Sequence, residues 1–120
     1  MRKTAMVASA LAVLGTVVFA SPAHAEECGG GPDGLMWCGN ATTPVWAQAA
    51  FDIDDRPVPI VDTLYASPRS WFSCYRQGQW HSGNNNIWYQ TRGDVNGRTG
   101  YVPASAVNSR VDPGPGLKHC

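Results

Sequence analysis

Apolar positions in this chain fall in short aromatic and β-branched runs separated by polar turns, the pattern of strands. The clearest pair is Ile87-Trp88-Tyr89 and Tyr101-Val102, joined through a turn that holds Gly93, Asp94, Asn96 and Gly97. Such runs on both sides of an Asn-Gly signal predict a β-hairpin, because Gly and Asn accept the positive φ its turn requires. Pro103 lacks the N–H a ladder needs, so the second strand should end there. Ala104-Ser105-Ala106 is then expected as one helical turn. Upstream, Val45-Trp46-Ala47-Gln48 and Ile60-Val61-Asp62-Thr63-Leu64 are strand candidates, and Trp71-Phe72-Ser73-Cys74-Tyr75 reads as a central strand. Alternation there puts Trp71, Ser73 and Tyr75 on one face, with Phe72 and Cys74 turned to the core. The expected class is all-β, with about five strands.

The segments between strands differ in character. Residues 51–59 carry two prolines and three aspartates, Asp52, Asp54 and Asp55, and read as an irregular turn. A solvated loop whose charges keep it off the core is the plain reading of those acids. Residues 76–86 form a hydrophilic loop in which Trp80 has no periodic reason for burial. It either folds back as a lid or stands beside Trp88 in a binding surface. His81 beside it is a catalytic candidate without a partner. Residues 26–43 are Gly-rich, with Leu35-Met36-Trp37 as their apolar cluster and Trp37 expected to cover one end of the fold. Residues 109–120 contain Asp112-Pro113-Gly114-Pro115-Gly116, which cannot form regular structure and stays mobile unless its end is tethered.

Composition adds a compartment. Arg2 and Lys3, an uncharged run from Thr4 to Ala20, the breaker Ser21-Pro22 and Ala23-His24-Ala25 make residues 1–25 a signal peptide cleaved after Ala25. Its apolar run is short for a membrane span, and Glu26-Glu27 before Cys28 do not fit lipidation, so no membrane anchor is expected. Removing Arg2 and Lys3 from nine basic side chains leaves seven against nine acidic ones, a balance that offers nucleic acid no field. The remaining domain, 44–108 with its flanking segments, is small and needs cross-links to supplement its core. All four cysteines lie in the exported part, and an even count there reads as a disulfide framework. Of three possible pairings, Cys28–Cys38 would close the Gly-rich loop and Cys74–Cys120 would pin the last residue to a strand. Zinc is disfavoured because no Cys-x-x-Cys pair exists, and no metal or cofactor is expected.

Trp88-Tyr89, the step to Gly97, then Gly100-Tyr101-Val102-Pro103 and Val107 resemble the closing hairpin of SH3-type domains in their secreted bacterial (SH3b) form. The likeness covers the order of strands over about residues 44–108 and implies a small SH3-like barrel. It also implies a groove in which ligand rings stack between aromatic ridges, with Trp88 and Pro103 at the groove positions and the acidic residues Asp54 and Asp55 flanking it. The sequence departs from that pattern where Ala106 replaces the groove tyrosine and Trp46-Ala47-Gln48-Ala49 replaces the first-strand tyrosines. Candidate ligand-binding residues are therefore Trp88, Trp80, Tyr101, Pro103, Asp54 and Asp55, although hairpin packing alone accounts for at least one of Trp88, Tyr89 and Tyr101. The tail, strapped down by Cys120, would lie over part of that groove.

Catalysis finds little support. No nucleophile elbow, zinc-protease motif or phosphate loop is present, and nothing in the sequence brings a carboxylate pair such as Asp62 and Asp94 together. Two functions follow: a secreted, monomeric, non-catalytic module that binds a peptidoglycan peptide at the cell wall, or a stand-alone extracellular partner or inhibitor of another secreted protein.

Overall fold

A computed structural model describes residues 28–120; the leader and its cleavage at Ala25 lie outside them. The described residues hold nine strands, a 3-10 turn at Ala104–Ala106 and no α-helix. The strands are β1 (Met36–Asn40), β2 (Thr43–Trp46), β3 (Asp52–Ile53), β4 (Arg56–Pro57), β5 (Ile60–Leu64), β6 (Ser67–Phe72), β7 (Cys74–His81), β8 (Asn85–Arg92) and β9 (Thr99–Pro103). Five of them form one antiparallel sheet in the order β5-β2-β9-β8-β7, while β1 pairs with β6 and β3 with β4. Val107, just past the 3-10 turn, bridges back to Asn40 at the end of β1.

The core forms where the two larger sheets face each other. Ile87, Tyr89 and Thr91 alternate along β8 and are buried on its inner side, opposite Val102 of β9. Met36, Phe72, Val45 and Leu64 complete the cluster, with Phe72 and Tyr89 rings 5.8 Å apart. Burying these side chains, at roughly 25 cal/mol per Å² of apolar surface, is the main force holding the small domain together. The expected hairpin is present, and β9 ends at Pro103 where the missing N–H stops it.

Several elements differ from the sequence reading. The Gly-rich segment contributes a full strand, β1, because Met36 and Cys38 point inward against β6. Residues 76–81, expected as loop, continue β7, which as the sheet's end strand can be polar on its open side. Cys74 is buried but not toward the core. Ser73 interrupts the chain between β6 and β7, so Tyr75, opposite Tyr89, packs on the core while Cys74 sits beside Gln90.

The β8–β9 turn is built around a carboxylate from another strand. Asp62 of β5 accepts main-chain N–H groups from Thr63, Val95, Asn96 and Arg98 at 2.8–3.1 Å. Gly93 must be glycine here, since a Cβ would stand 2.2 Å from Asp62 Cγ. Burial pushes the Asp62 pKa up, but the donated N–H bonds outweigh it and hold the pKa at about 2.

Both disulfides take the expected pairings, Cys28–Cys38 and Cys74–Cys120. Closures of this kind contribute about 2–4 kcal/mol each by restricting the unfolded chain. The tail is a strap along the β7 edge: Tyr75 N–H donates to Lys118 O, and Cys120 N–H donates to Tyr75 O. Asp112 accepts the Tyr89 hydroxyl at 2.7 Å and also that of Ser109, while Gly114 N–H donates to Tyr89 Oη at 3.0 Å. Burial first, and the Asp112 carboxylate second, push the Tyr89 hydroxyl well above the usual phenol range.

Two outcomes follow. Because the folded Asp62 value lies below the ordinary 3.8, its contribution to stability is intact above that pH and is lost as pH falls toward about 2. Asp62→Asn should lower stability at neutral pH and flatten the acid limb of a urea-unfolding pH series; an unchanged limb would refute the assignment. Tyr89→Phe leaves Asp112 and Gly114 short of a partner and should cost about 1–3 kcal/mol in the same assay, where an unaltered midpoint would show the strap to be indifferent to that hydroxyl.

Candidate functional site

The outer face of the five-stranded sheet is where the SH3 resemblance places a groove. Trp46, Trp88 and Pro103 come to it because Trp46 pairs with Tyr101 and Trp88 with Pro103 across the ladder. The chain closes this place itself. After β2 it runs out over the face and drives Phe51 against Trp88, with ring centroids 4.9 Å apart, and against Trp46 at 5.0 Å. Trp46 and Trp88 are 5.7 Å apart in a T-shaped contact, and His81 adds a fourth ring at 6.0 Å from Trp88. Edge-to-face rings at such spacing contribute beyond their burial. Trp88 is 0% exposed and its indole N–H donates to Gln79 O at 2.8 Å.

This corrects the expectation for two candidates. Trp88 and Pro103 are buried and present no ring face to a ligand, because Phe51 occupies the space a ligand ring would take. Nor does the tail cover this face. Its hydrogen bonds run to Gly30, Tyr75, Asn85 and Tyr89, Tyr89 faces away from Trp88 on β8, and Cys120 meets Cys74 beside Gln90.

The excursion is more regular than its composition predicts. β3 and β4 form a two-residue hairpin in which Asp54 and Asp55 take positive φ of 52° and 62°. Aspartate tolerates that conformation better than most residues, so the acids serve the turn and their charges point to solvent. Gln79 anchors the excursion: its Oε1 accepts Phe51 N–H at 2.6 Å and Asp52 N–H at 3.2 Å. Gly78 lets the strands approach, since a Cβ there would lie 2.0 Å from Ala49 O.

What stays open is a groove of about 330 Å³ between the excursion and β7–β9, with Gln48, Ile53, Arg76, Gln77 and Tyr101 on its walls. The Arg76 guanidinium lies 5.6 Å over the Tyr101 ring, and Gln90 Nε2 donates to Tyr101 Oη at 3.3 Å. Tyr101 is thus the one ring of the expected set that reaches an open groove. Ile53 connects it to the acidic hairpin tip. Trp80 is 66% exposed, neither a lid nor a neighbour of an open Trp88. Arg76 and Gln77 were missed because a polar stretch next to Gly78 reads as loop, and Gln48 because it reads as the end of a strand. The available signal was the alternation of β7, which sets Arg76 opposite Trp88.

Each side chain weighed for catalysis has hydrogen-bond partners within the fold. His81 is buried; Gly83 N–H donates to its Nδ1 at 3.1 Å, so Nε2 carries the proton and donates to Ile87 O at 2.8 Å. Asp62 and Asp94 do share one turn, contrary to the sequence reading, since Asp94 N–H donates to Thr63 O. Asp62 nevertheless has both oxygens filled by N–H donors, Oδ1 by Thr63 and Val95 and Oδ2 by Asn96 and Arg98, and Asp94 Oδ2 accepts Tyr65 N–H at 2.8 Å.

No protein-family model, curated protein or solved structure matches the chain. Two disulfides fit an oxidising compartment, and no helix among the described residues is long and apolar enough to cross a membrane.

Phe51→Ala should open the face above Trp88, costing about 1–3 kcal/mol of stability and shifting the Trp88 indole N–H resonance. An unmoved resonance with unchanged stability would mean that Phe51 is not the plug.

Proposed function

We propose that the chain is a secreted, non-catalytic binding module that engages a cell-wall peptide through the groove beside Tyr101 and Arg76. The observation that carries this reading is the pairing of one open groove with an otherwise self-closed outer face. Phe51 fills the stacking position at Trp88, so a ligand is directed to the remaining space between the excursion and β7. The chemistry there suits a short zwitterionic peptide. Arg76 and Gln77 can receive a carboxylate, Tyr101 an apolar stem, and Asp54 and Asp55 at the hairpin tip an amino group. Burial of His81 with both ring nitrogens engaged supports a role without catalysis.

A second reading, a partner or inhibitor of another secreted protein, is favoured by Trp80. A tryptophan 66% exposed on a small domain is the residue type that anchors protein interfaces.

Co-sedimentation with sacculi stripped of anionic polymers separates the two. The oxidised protein should sediment with them, Arg76→Ala and Tyr101→Ala should each weaken binding roughly tenfold, and Trp80→Ala should leave it intact. If the parent stays in the supernatant, the wall reading fails and protein partners that depend on Trp80 take its place.

A further inference from the structure

A second groove, of about 320 Å³, lies on the other sheet, where β1 and β6 meet the β8–β9 turn. It shares no residue with the groove beside Tyr101 and owes nothing to the proposal made for that one. Trp37, Tyr65 and Trp71 supply rings, and Arg69, Arg92 and Asp94 supply charge. Trp37 and Tyr65 are 36% and 55% exposed, so both offer faces to solvent.

These groups are held in place before any ligand arrives. Trp37 Nε1 donates to Asp33 Oδ2 at 3.0 Å, and the Arg69 guanidinium stacks 4.8 Å from the Trp37 ring. The Trp37 bond first, then the Leu35 N–H, keep Asp33 below the usual carboxylate range and therefore charged. The Tyr65 main chain is fixed through its N–H to Asp94, while its ring stays exposed. Preorganised rings lose little freedom on binding.

The main chain around this groove has little left to offer a ligand. Tyr65 N–H goes to Asp94, Ala66 N–H to Thr42 Oγ1 and Arg69 N–H to Ser67 Oγ, while Tyr65 O accepts Asn40 Nδ2 and Arg69 O accepts Ser67 Oγ. An added peptide strand would need such groups free. Side chains must do the recognising. Among the described residues Arg69 stacks on Trp37 with the Asp33 charge nearby, and Arg92 spends Nε on Gly97 O, which leaves guanidinium N–H donors on both. Asp94 on the wall and Asp33 behind Trp37 are both already hydrogen-bonded, so what the groove leaves open to a ligand is the guanidinium N–H groups.

We propose that this groove binds a carboxylate-bearing saccharide, whose flat C–H face stacks on Trp37 and Tyr65 while its acid and hydroxyls meet Arg69 and Arg92. Rings with forked cationic donors match that ligand, as neither a neutral apolar molecule nor a β-strand would.

Calorimetric titration of the purified, oxidised protein tests this with three probes: a tetrasaccharide of alternating glucuronate and N-acetylglucosamine, the neutral N-acetylglucosamine tetramer, and an Asp/Glu-rich peptide of equal charge. The acidic tetrasaccharide should bind tightest. Arg69→Gln and Arg92→Gln should each weaken it roughly tenfold, as loss of a charge-assisted contact implies, and Trp37→Ala should weaken both saccharides. Two independent arginine variants keep the test decisive if one misfolds. The proposal is overturned if the acidic tetrasaccharide gives no heat above the neutral one, if the peptide binds in its place, or if the folded arginine variants bind it as the parent does.

Discussion

Phe51 resting on Trp88 decides what this domain can present to a ligand. A tryptophan on the outer face of a sheet is an obvious stacking platform, and its removal from solvent needs another large ring delivered from outside the sheet. The excursion after β2 delivers it. Gln79 ties the excursion down at Phe51 and Asp52, Gly78 gives it room, and the Asp54–Asp55 turn brings the chain back. Each is a local device, and together they convert an open groove into a second, small aromatic core of Trp46, Phe51, His81 and Trp88.

Other constraints keep that arrangement in register. Asp62 gathers the β8–β9 turn onto β5, which fixes the hairpin that carries Trp88 and Tyr101. On the inner side, Tyr89 joins the core to the strap through Asp112 and Gly114, and Cys120 holds the strap to β7. The two faces of β8 are thus closed by different parts of the chain: the excursion outside, the core and strap inside. A domain this small gains from closing both, because its core alone buries limited apolar surface.

Much of the fold was legible in sequence because its signals are local. Aromatic runs around Asn96-Gly97, the stop at Pro103 and an even cysteine count each depend on a few neighbours. The sequence was less informative where tertiary contact overrides composition. β7 looks like a polar loop and becomes a strand because β8 offers it a ladder. Ser73 breaks an alternation that would have turned Cys74 inward. The resemblance puts Trp88 in a groove, but the ring that covers it comes from 37 positions away, and no periodicity links the two. Arg76 and Tyr101 meet for the same reason, through pairing between strands rather than spacing along the chain.

The claim at the centre of this account is that ligands meet the outer face beside Tyr101 and never over Trp88. Mapping amide and indole shifts while a soluble disaccharide-tetrapeptide from peptidoglycan is titrated into the oxidised protein tests it directly. The account predicts shifts concentrated at Gln48, Ile53, Arg76, Gln77 and Tyr101 with the Trp88 indole N–H unmoved. Displacement of Phe51 with a large shift of the Trp88 indole would contradict it, since the plug would then be a door.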